Sequence, residues 1–195
     1  MQDFTAISTH TTTTFPHRLI LASGSAYRKE LLQRLRLPFE VMSPDIDETS
    51  LPNETPVATA LRLAQAKAQK IAEQTSAALV IGSDQVATLD DRQIGKPGNH
   101  ANALAQLQMM RGRSVVFHTA LCLLDTHPTS TKPLQIENIQ TVVTFRDLPD
   151  TELDAYLKIE QPYDCAGSAK NEGLGIALIA SIEGTDPTAL TGLPL

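Results

Sequence analysis

Apolar and polar positions along this chain fall into blocks that switch between strand and helix periods. Leu19-Ile20-Leu21-Ala22 is a continuous apolar run that reads as a buried strand, and Ser23-Gly24-Ser25 breaks it. Ala26 to about Leu35 reads as a helix, Phe39 to Ser43 as a short strand and Pro44 to Asn53 as a loop. A long helix follows from Thr55 to about Thr75, with Pro56 in its first turn and Val57, Leu61, Ala64, Ala68 and Ile71 on one face. It leads into an apolar strand, Leu79 to Gly82. After Ser83-Asp84-Gln85, the segment Val86 to Ile94 reads as a hairpin turned at Asp90-Asp91, and Gly95-Lys96-Pro97-Gly98 stops it before a helix from Ala101 to Met110. Val115 to Leu124 and Ile136 to Phe145 read as a long antiparallel pair joined through the polar turn Asp125 to Pro133. A helix at Thr151 to Lys158 and a glycine-punctuated ending complete the pattern. It predicts an α/β fold with a mixed sheet and no internal repeat.

With 195 residues and 42% hydrophobic content, the chain is long enough for one compact unit built as two lobes around a cleft. Met1 to His17, rich in Thr and His and without apolar periodicity, reads as a flexible N-terminal extension; it has neither the basic start nor the apolar stretch of a signal peptide. No apolar run approaches the roughly 20 residues that cross a bilayer, so no membrane association is expected. The two cysteines, Cys122 and Cys165, show no metal-ligand spacing, which fits a cytoplasmic protein with reduced thiols. Cys122 lies in an apolar run and reads as a small buried hydrophobe, whereas Cys165 lies in a loop beside Ala166-Gly167-Ser168. A net charge of -6 argues against a nucleic-acid partner, because non-specific binding needs many phosphates neutralised by Lys and Arg.

The candidate chemistry is anion and phosphate chemistry. Ser23-Gly24-Ser25 between a strand and a helix carrying Arg28 suits a phosphate: helix N-termini leave N–H groups unpaired, small residues admit close approach, and a guanidinium grips two oxygens. The same residues suit a plain turn in which Ser25 caps the helix. Asp84 follows the apolar run Leu79 to Gly82, at the carboxyl end of an expected central strand, where open α/β sheets place ligands; a strand-end turn cap is the alternative. Asp45, Asp47 and Glu48 form a second acidic set, either a solvated turn or, opposite Asp84, oxygen ligands for a hard divalent ion. Lys67 has the small neighbours Ala64, Ala66 and Ala68, and Lys96 sits between Gly95 and Pro97; each fits phosphate contact and each fits an ordinary surface lysine, as does Lys170.

Taken together, Leu-Ala-Ser-Gly-Ser-x-x-Arg, Asp-x-Asp-Glu, Leu-x-Leu-Ala-x-x-Lys-Ala, Ile-Gly-Ser-Asp-Gln-Val, Gly-Lys-Pro, Arg111-Gly112-Arg113, Cys-Ala-Gly-Ser-x-Lys-x-Glu-Gly-x-Gly and the terminal Gly-Leu-Pro-Leu resemble the Maf family of nucleoside triphosphate pyrophosphatases. The resemblance extends in order from about Arg18 to Leu195. It implies a single catalytic domain over 18–195, an α/β fold related to the inosine triphosphate pyrophosphatases, and a nucleotide in a deep cleft between two lobes. It also implies hydrolysis between the α and β phosphates with a divalent cation, Mg2+ or Mn2+, and a homodimer. Carried over by motif, Asp84 matches the proton acceptor that activates water and a metal-associated carboxylate, and Glu48 matches its acidic partner at the metal. Arg28, Lys67 and Lys96 match the basic residues around the triphosphate, and Ser23 with Ser25 matches the phosphate-cradling turn.

Tyr27, Gln85 and Glu172 resemble the branch of that family that cleaves 7-methyl-GTP, where the branch cleaving dTTP and UTP usually has Arg, Thr and Gln. Chemistry agrees: N7 methylation makes guanine cationic, an aromatic face stacks on a cation, and a carboxylate accepts from the guanine N1–H and exocyclic amine. Tyr27 stands where that branch usually has Trp, which implies weaker stacking, and Ala26 stands for the usual Pro. Members of the family commonly continue past Gly192-Leu193-Pro194 into a final helix, absent from this sequence, and an exposed apolar surface is the corresponding expectation. Cleavage of other triphosphates such as dTTP, UTP or CTP, and a non-catalytic nucleotide-binding regulator of cell division, are the alternative functions.

Overall fold

The computed structural model of the chain describes residues 16–90 and 92–195. The expected N-terminal extension therefore lies outside the described residues over 1–15, as does Asp91 of the hairpin turn. Among the described residues, seven strands form one mixed sheet. Strand β1 (Arg18–Ala22) is central to its parallel part, pairing with β2 (Glu40–Met42) on one side and β3 (Ala78–Leu89) on the other. Beyond β3 the sheet turns antiparallel through β5 (Ser114–Asp125), β6 (Leu134–Phe145) and β7 (Ile179–Gly184), while β4 (Arg92–Ile94) folds back on the far end of β3.

Helix α1 (Ala26–Gln33) follows β1, α2 (Pro56–Ala72) precedes β3, and α3 (His100–Met110) and α4 (Asp150–Glu160) pack on each other. Their starts are set locally, because Ser25, Thr55 and Asn99 each accept a backbone N–H from the first turn of α1, α2 and α3. These elements match the sequence expectation to within a few residues at each end.

The sheet's two faces separate the core. Ile20, Ala22, Val80, Val86, Ala120 and Cys122 pack against α2. On the opposite face Leu21 meets Leu31 and Leu32 of α1 together with Leu193, while Leu89, Phe117 and Val143 meet α3 and α4 at the other end of the strands. Leu193 is buried in this cluster and Leu195 is exposed. One glycine fixes how closely α2 approaches the sheet. At Gly82 a Cβ would stand 2.1 Å from the Ala64 carbonyl oxygen and 2.8 Å from the Ala68 nitrogen, so α2 lies on β3 at a distance that only glycine permits.

Three expectations are corrected. The strand Leu79 to Gly82 does not end before Asp84: β3 runs unbroken through Ser83-Asp84-Gln85, which pair with Leu121, Ala120 and Thr119. The polar side chains do not end the strand because they find partners beside it, Ser83 Oγ donating to the Ala120 carbonyl and Gln85 Nε2 to Thr119 Oγ1. The buried face of α2 is Ala60, Leu63, Ala64, Lys67, Ala68 and Ile71, with Val57 and Leu61 only half-buried at its margin. The glycine-punctuated ending contains β7, whose residues after Ile179 are all exposed and so carry no apolar alternation. Among the described residues, no helix is long and apolar enough to cross a membrane.

Candidate active site

The site forms where β3 has lost one neighbour and not yet gained the next. Pairing with β1 ends at Ala22↔Gly82, and pairing with β4 begins at Ala87↔Ile94. Among the described residues, no strand covers Ser83 to Val86 on that edge. A cavity of about 710 Å3 opens there. Asp84 thus lies beyond the carboxyl end of its parallel neighbour although it sits in the middle of its own strand.

Three of the four catalytic candidates, Lys67, Asp84 and Glu48, meet in one contact set, while Lys96 lies elsewhere on the cavity wall. Lys67 Nζ lies 2.6 Å from Asp84 Oδ1 and 2.8 Å from Glu48 Oε1, with side-chain exposures of 7% for Lys67, 10% for Asp84 and 54% for Glu48. The helix spacing explains Lys67: it falls on the buried stripe of α2 between Ala64 and Ala68, the two residues that press against Gly82, so its stem is carried under the sheet edge to the next inward position, Asp84. Burial pushes the Asp84 carboxyl above the ordinary aspartate range, against the lowering by Lys67 and Arg28, and Glu48 adds to the rise. For Glu48 the balance is opposite: its partial burial is outweighed by the Lys67 hydrogen bond and charge, then by Lys96 and Arg28, and its carboxyl is held low.

At the turn after β1, Ser25 Oγ caps α1 through the Arg28 amide, and Ser23 Oγ accepts from the Ser25 amide at 3.1 Å and from Arg28 Nη1 at 3.5 Å. The helix-cap reading of Ser25 is therefore correct, and it leaves Ser25 on the cavity wall. Ser23 lies behind the wall, buried, where it orders the turn. Arg28 lines the cavity, but its Nε donates to the Gly192 carbonyl at 2.8 Å.

Lys96, Tyr27, Gln85 and Glu172 also line the cavity. Tyr27 and Glu172 separate it from a smaller cavity of about 330 Å3 bordered by Glu30 and Arg34. Gln85 directs Nε2 to Thr119 Oγ1, Ala189 O and Leu190 O at 2.9 to 3.0 Å, which fixes its amide against residues 119, 189 and 190. Phe117, Val143 and Phe145 supply an apolar wall. Of the second acidic set only Glu48 reaches the cavity; Asp45 is exposed, and Asp47 accepts from the Thr49 amide at 2.9 Å. Lys170 Nζ lies 3.8 Å from Asp164. Burial pushes the thiols up, Cys122 to about 11 and Cys165 to about 12, so neither is an activated nucleophile.

The C-terminal turn is a component that local sequence reasoning missed. Its backbone carbonyls are held from two strands and a helix: Gly192 by Arg28 of α1 and Ser83 of β3, Ala189 by Thr119 of β5 and Gln85 of β3, and Leu190 by Gln85. Asp186 ties its start, accepting from Thr188 and Ala189 amides, and its end, accepting from the Leu195 amide. Leu190, Thr191 and Gly192 in turn border the cavity.

A family model described as Maf-like protein matches residues 18–195. The chain is 67% identical over 177 residues to the 7-methyl-GTP pyrophosphatase of Cupriavidus metallidurans, covering 91% of this chain and 87% of that protein. It is 67% identical over 183 residues to the protein of the same name from Burkholderia pseudomallei (92% and 84% covered), and 64% identical over 177 residues to that from Ralstonia nicotianae (91% and 90%). Among solved structures it is similar to a nucleoside-triphosphatase, dITP/XTP pyrophosphatase, from Mycobacterium abscessus, with a TM-score of 0.42 and 15% identity over 68% of this chain and 76% of that one. With the model match spanning every strand and helix of the sheet and the relatives sharing two residues in three, the chain belongs to the Maf-like protein family.

Proposed function

We propose that this protein hydrolyses 7-methyl-GTP to 7-methyl-GMP and pyrophosphate, clearing a modified nucleotide in the cytoplasm. The observation that carries the chemistry is the Asp84, Lys67 and Glu48 contact set on the open edge of β3, facing the same cavity as the Ser23-Gly24-Ser25 turn. The names of the relatives support the substrate.

Asp84 is the base. Burial gives its carboxylate a higher proton affinity than a solvated aspartate, which suits it to accept a proton from water as that water attacks phosphorus in line with the departing pyrophosphate. Lys67 fixes the carboxylate's direction and prevents two carboxylates from repelling each other unscreened. Arg28 and Lys96, both on the wall, offset charge on the phosphates, and Ser25 presents the first turn of α1 to an anion.

A divalent cation, Mg2+ or Mn2+, fits the donor set. Glu48 and Asp84 are hard oxygen donors on one cavity, each engaging Lys67 through a single oxygen, and Mg2+ is commonly held by one or two carboxylates together with substrate phosphates. Among the described residues no three His, Cys, Asp or Glu converge, which favours an ion shared with the substrate. Bound there, it supplies Lewis-acid stabilisation of phosphoryl oxygens.

For the base, the Gln85 acceptor oxygen and the Glu172 carboxylate suit the donor edge of guanine, and Tyr27 offers an aromatic face to the cationic methylated ring. The test is pyrophosphate release with Mg2+ or Mn2+ from 7-methyl-GTP, GTP, dTTP, UTP and CTP at equal concentration. Selective cleavage of 7-methyl-GTP is expected; a pyrimidine preference overturns the substrate, and no cleavage of any nucleotide leaves a nucleotide-binding regulator.

A further inference from the structure

Glu48 lies in a segment, residues 43–55, that has no regular secondary structure, and it is mostly exposed; something must hold it against Lys67. The holding contacts lie outside the cavity. Arg62, five positions before Lys67 on α2, donates from Nε to Glu54 Oε1 at 2.6 Å and from Nη2 to Glu54 Oε2 at 2.8 Å. The same Nη2 donates to the carbonyl of Thr49, the residue after Glu48, at 3.1 Å. Glu54 also accepts from the Leu51 amide at 3.1 Å and from Thr59 Oγ1 at 2.9 Å. Its side chain is 9% exposed, against 30% for Arg62. A carboxylate taking four donors, two of them a guanidinium fork, is a fixed point, and its carboxyl is held down at about 2, chiefly by Arg62.

We propose that Arg62, gripped by Glu54, is a positioning residue for Glu48: it clips the Thr49 carbonyl to α2 and so presents the Glu48 carboxylate to Lys67 and the site. This rests on the reading of Glu48 as a metal-associated carboxylate. One helix then sets both partners, Lys67 directly and Glu48 through Arg62, so their separation is fixed by helix geometry rather than by the loop. Arginine is required for this double contact. A lysine ammonium at the same place is a single point that cannot present a parallel fork to Glu54 and a third bond to Thr49.

The test compares Arg62→Met, Arg62→Lys, Glu48→Gln and the double variant Arg62→Met/Glu48→Gln in the full chain. Two readouts are taken: pyrophosphate release from 7-methyl-GTP against Mg2+ concentration, and Mn2+ binding in the presence of an α,β-methylene GTP analogue, followed by loss of the free Mn2+ paramagnetic resonance signal. Arg62→Met is expected to raise the half-activating Mg2+ concentration and the Mn2+ dissociation constant by about tenfold, as outer contacts to a metal ligand do, with the nucleotide KM changed less than about twofold. In the Glu48→Gln background the same substitution is expected to add almost nothing, because its route to the site has been removed. Arg62→Lys is expected to behave like Arg62→Met, and it keeps the charge and stem should the Met variant fold poorly. Wild-type metal dependence in both Arg62 variants, with Glu48→Gln impaired, overturns the clip alone. Wild-type metal dependence in Glu48→Gln overturns the metal reading of Glu48 and the clip with it, and full additivity in the double variant assigns Arg62 a structural role only.

Discussion

Replacing Gly82 by alanine tests how the packing of α2 on β3 controls the chemistry. The added Cβ would meet the Ala64 carbonyl oxygen at 2.1 Å, the Ala68 nitrogen at 2.8 Å and the Ala68 Cβ at 3.0 Å. Two of these are backbone atoms inside a helix, so no side-chain rotation relieves the overlap. Reaching ordinary contact distance requires α2 to retreat by about 1 Å. Overpacking of a tight core typically costs about 1 to 3 kcal/mol, and the backbone obstacle places Gly82→Ala at the upper end, about 3 kcal/mol. Alanine's advantage over glycine in a strand, roughly 0.5 to 1 kcal/mol, offsets little of that. For a chain of this size about 3 kcal/mol lowers Tm by about 10 °C.

The retreat also moves Lys67, which lies between Ala64 and Ala68, away from Asp84, now 2.6 Å from it. A misplacement of about 1 Å in a catalytic constellation costs on the order of 100-fold. The assay is thermal unfolding by circular dichroism alongside kcat for pyrophosphate release at a temperature where the variant is folded. Loss in both is expected. A variant with Tm within about 2 °C and kcat within about twofold of the parent would refute the claim that this helix contact sets the site's dimensions.

Further outcomes follow from the site. Asp84→Asn should lower kcat by at least about 100-fold, the usual worth of a general base, while calorimetry still detects nucleotide binding; retained turnover removes Asp84 from the mechanism. The acidic limb of the kcat/KM profile should lie above the ordinary aspartate pKa of 3.8, because burial raises the Asp84 carboxyl and only its deprotonated form acts, so activity rises with pH through that value. In Lys67→Met, which removes a lowering influence, the limb should move further up as kcat falls, and a limb that stays in place separates Lys67 from Asp84. Glu172→Gln should lower kcat/KM for 7-methyl-GTP by about 10-fold or more, the worth of a charge-assisted hydrogen bond, with little change for UTP; equal losses on both would show that Glu172 does not read the base.

Local physics made much of the fold legible. Thr55-Pro56 marks a helix start because a hydroxyl can cap and a proline needs no N–H there, and α2 begins at Pro56 with Thr55 accepting from Ala58. Leu19 to Ala22 is apolar without alternation because β1 is covered on both faces, and the structure buries all four. Where the reading failed, a long-range partner reversed a local signal. Ser83-Asp84-Gln85 looks like a strand break, yet it is β3, because the hydroxyl, the carboxylate and the amide each find a partner on β5, α2 or the C-terminal turn. For Lys67 the sequence leaves phosphate contact and an ordinary surface lysine both open, and only the long-range contacts with Asp84 and Glu48 show it buried.

The site residues were legible as chemical types, but their mutual arrangement was not, and the reason is sequence separation. Arg28 and Gly192 are 164 positions apart, and Ser83 and Gly192 are 109 apart, yet both donors converge on one carbonyl. No local period records such a contact. Its consequence is that the cavity wall is completed last in chain order: the turn after β1 supplies Gly24 and Ser25, β3 supplies Asp84, and the segment 189–192 then accepts hydrogen bonds from Arg28, Ser83, Gln85 and Thr119 through its backbone carbonyls. Carbonyls can be supplied by any residue, so this closure constrains the conformation of the turn far more than the identity of its side chains. Two positions are exceptions: Gly192, whose φ of +107° favours glycine, and Asp186, whose carboxylate ties Thr188, Ala189 and Leu195 together and so helps set where those carbonyls point.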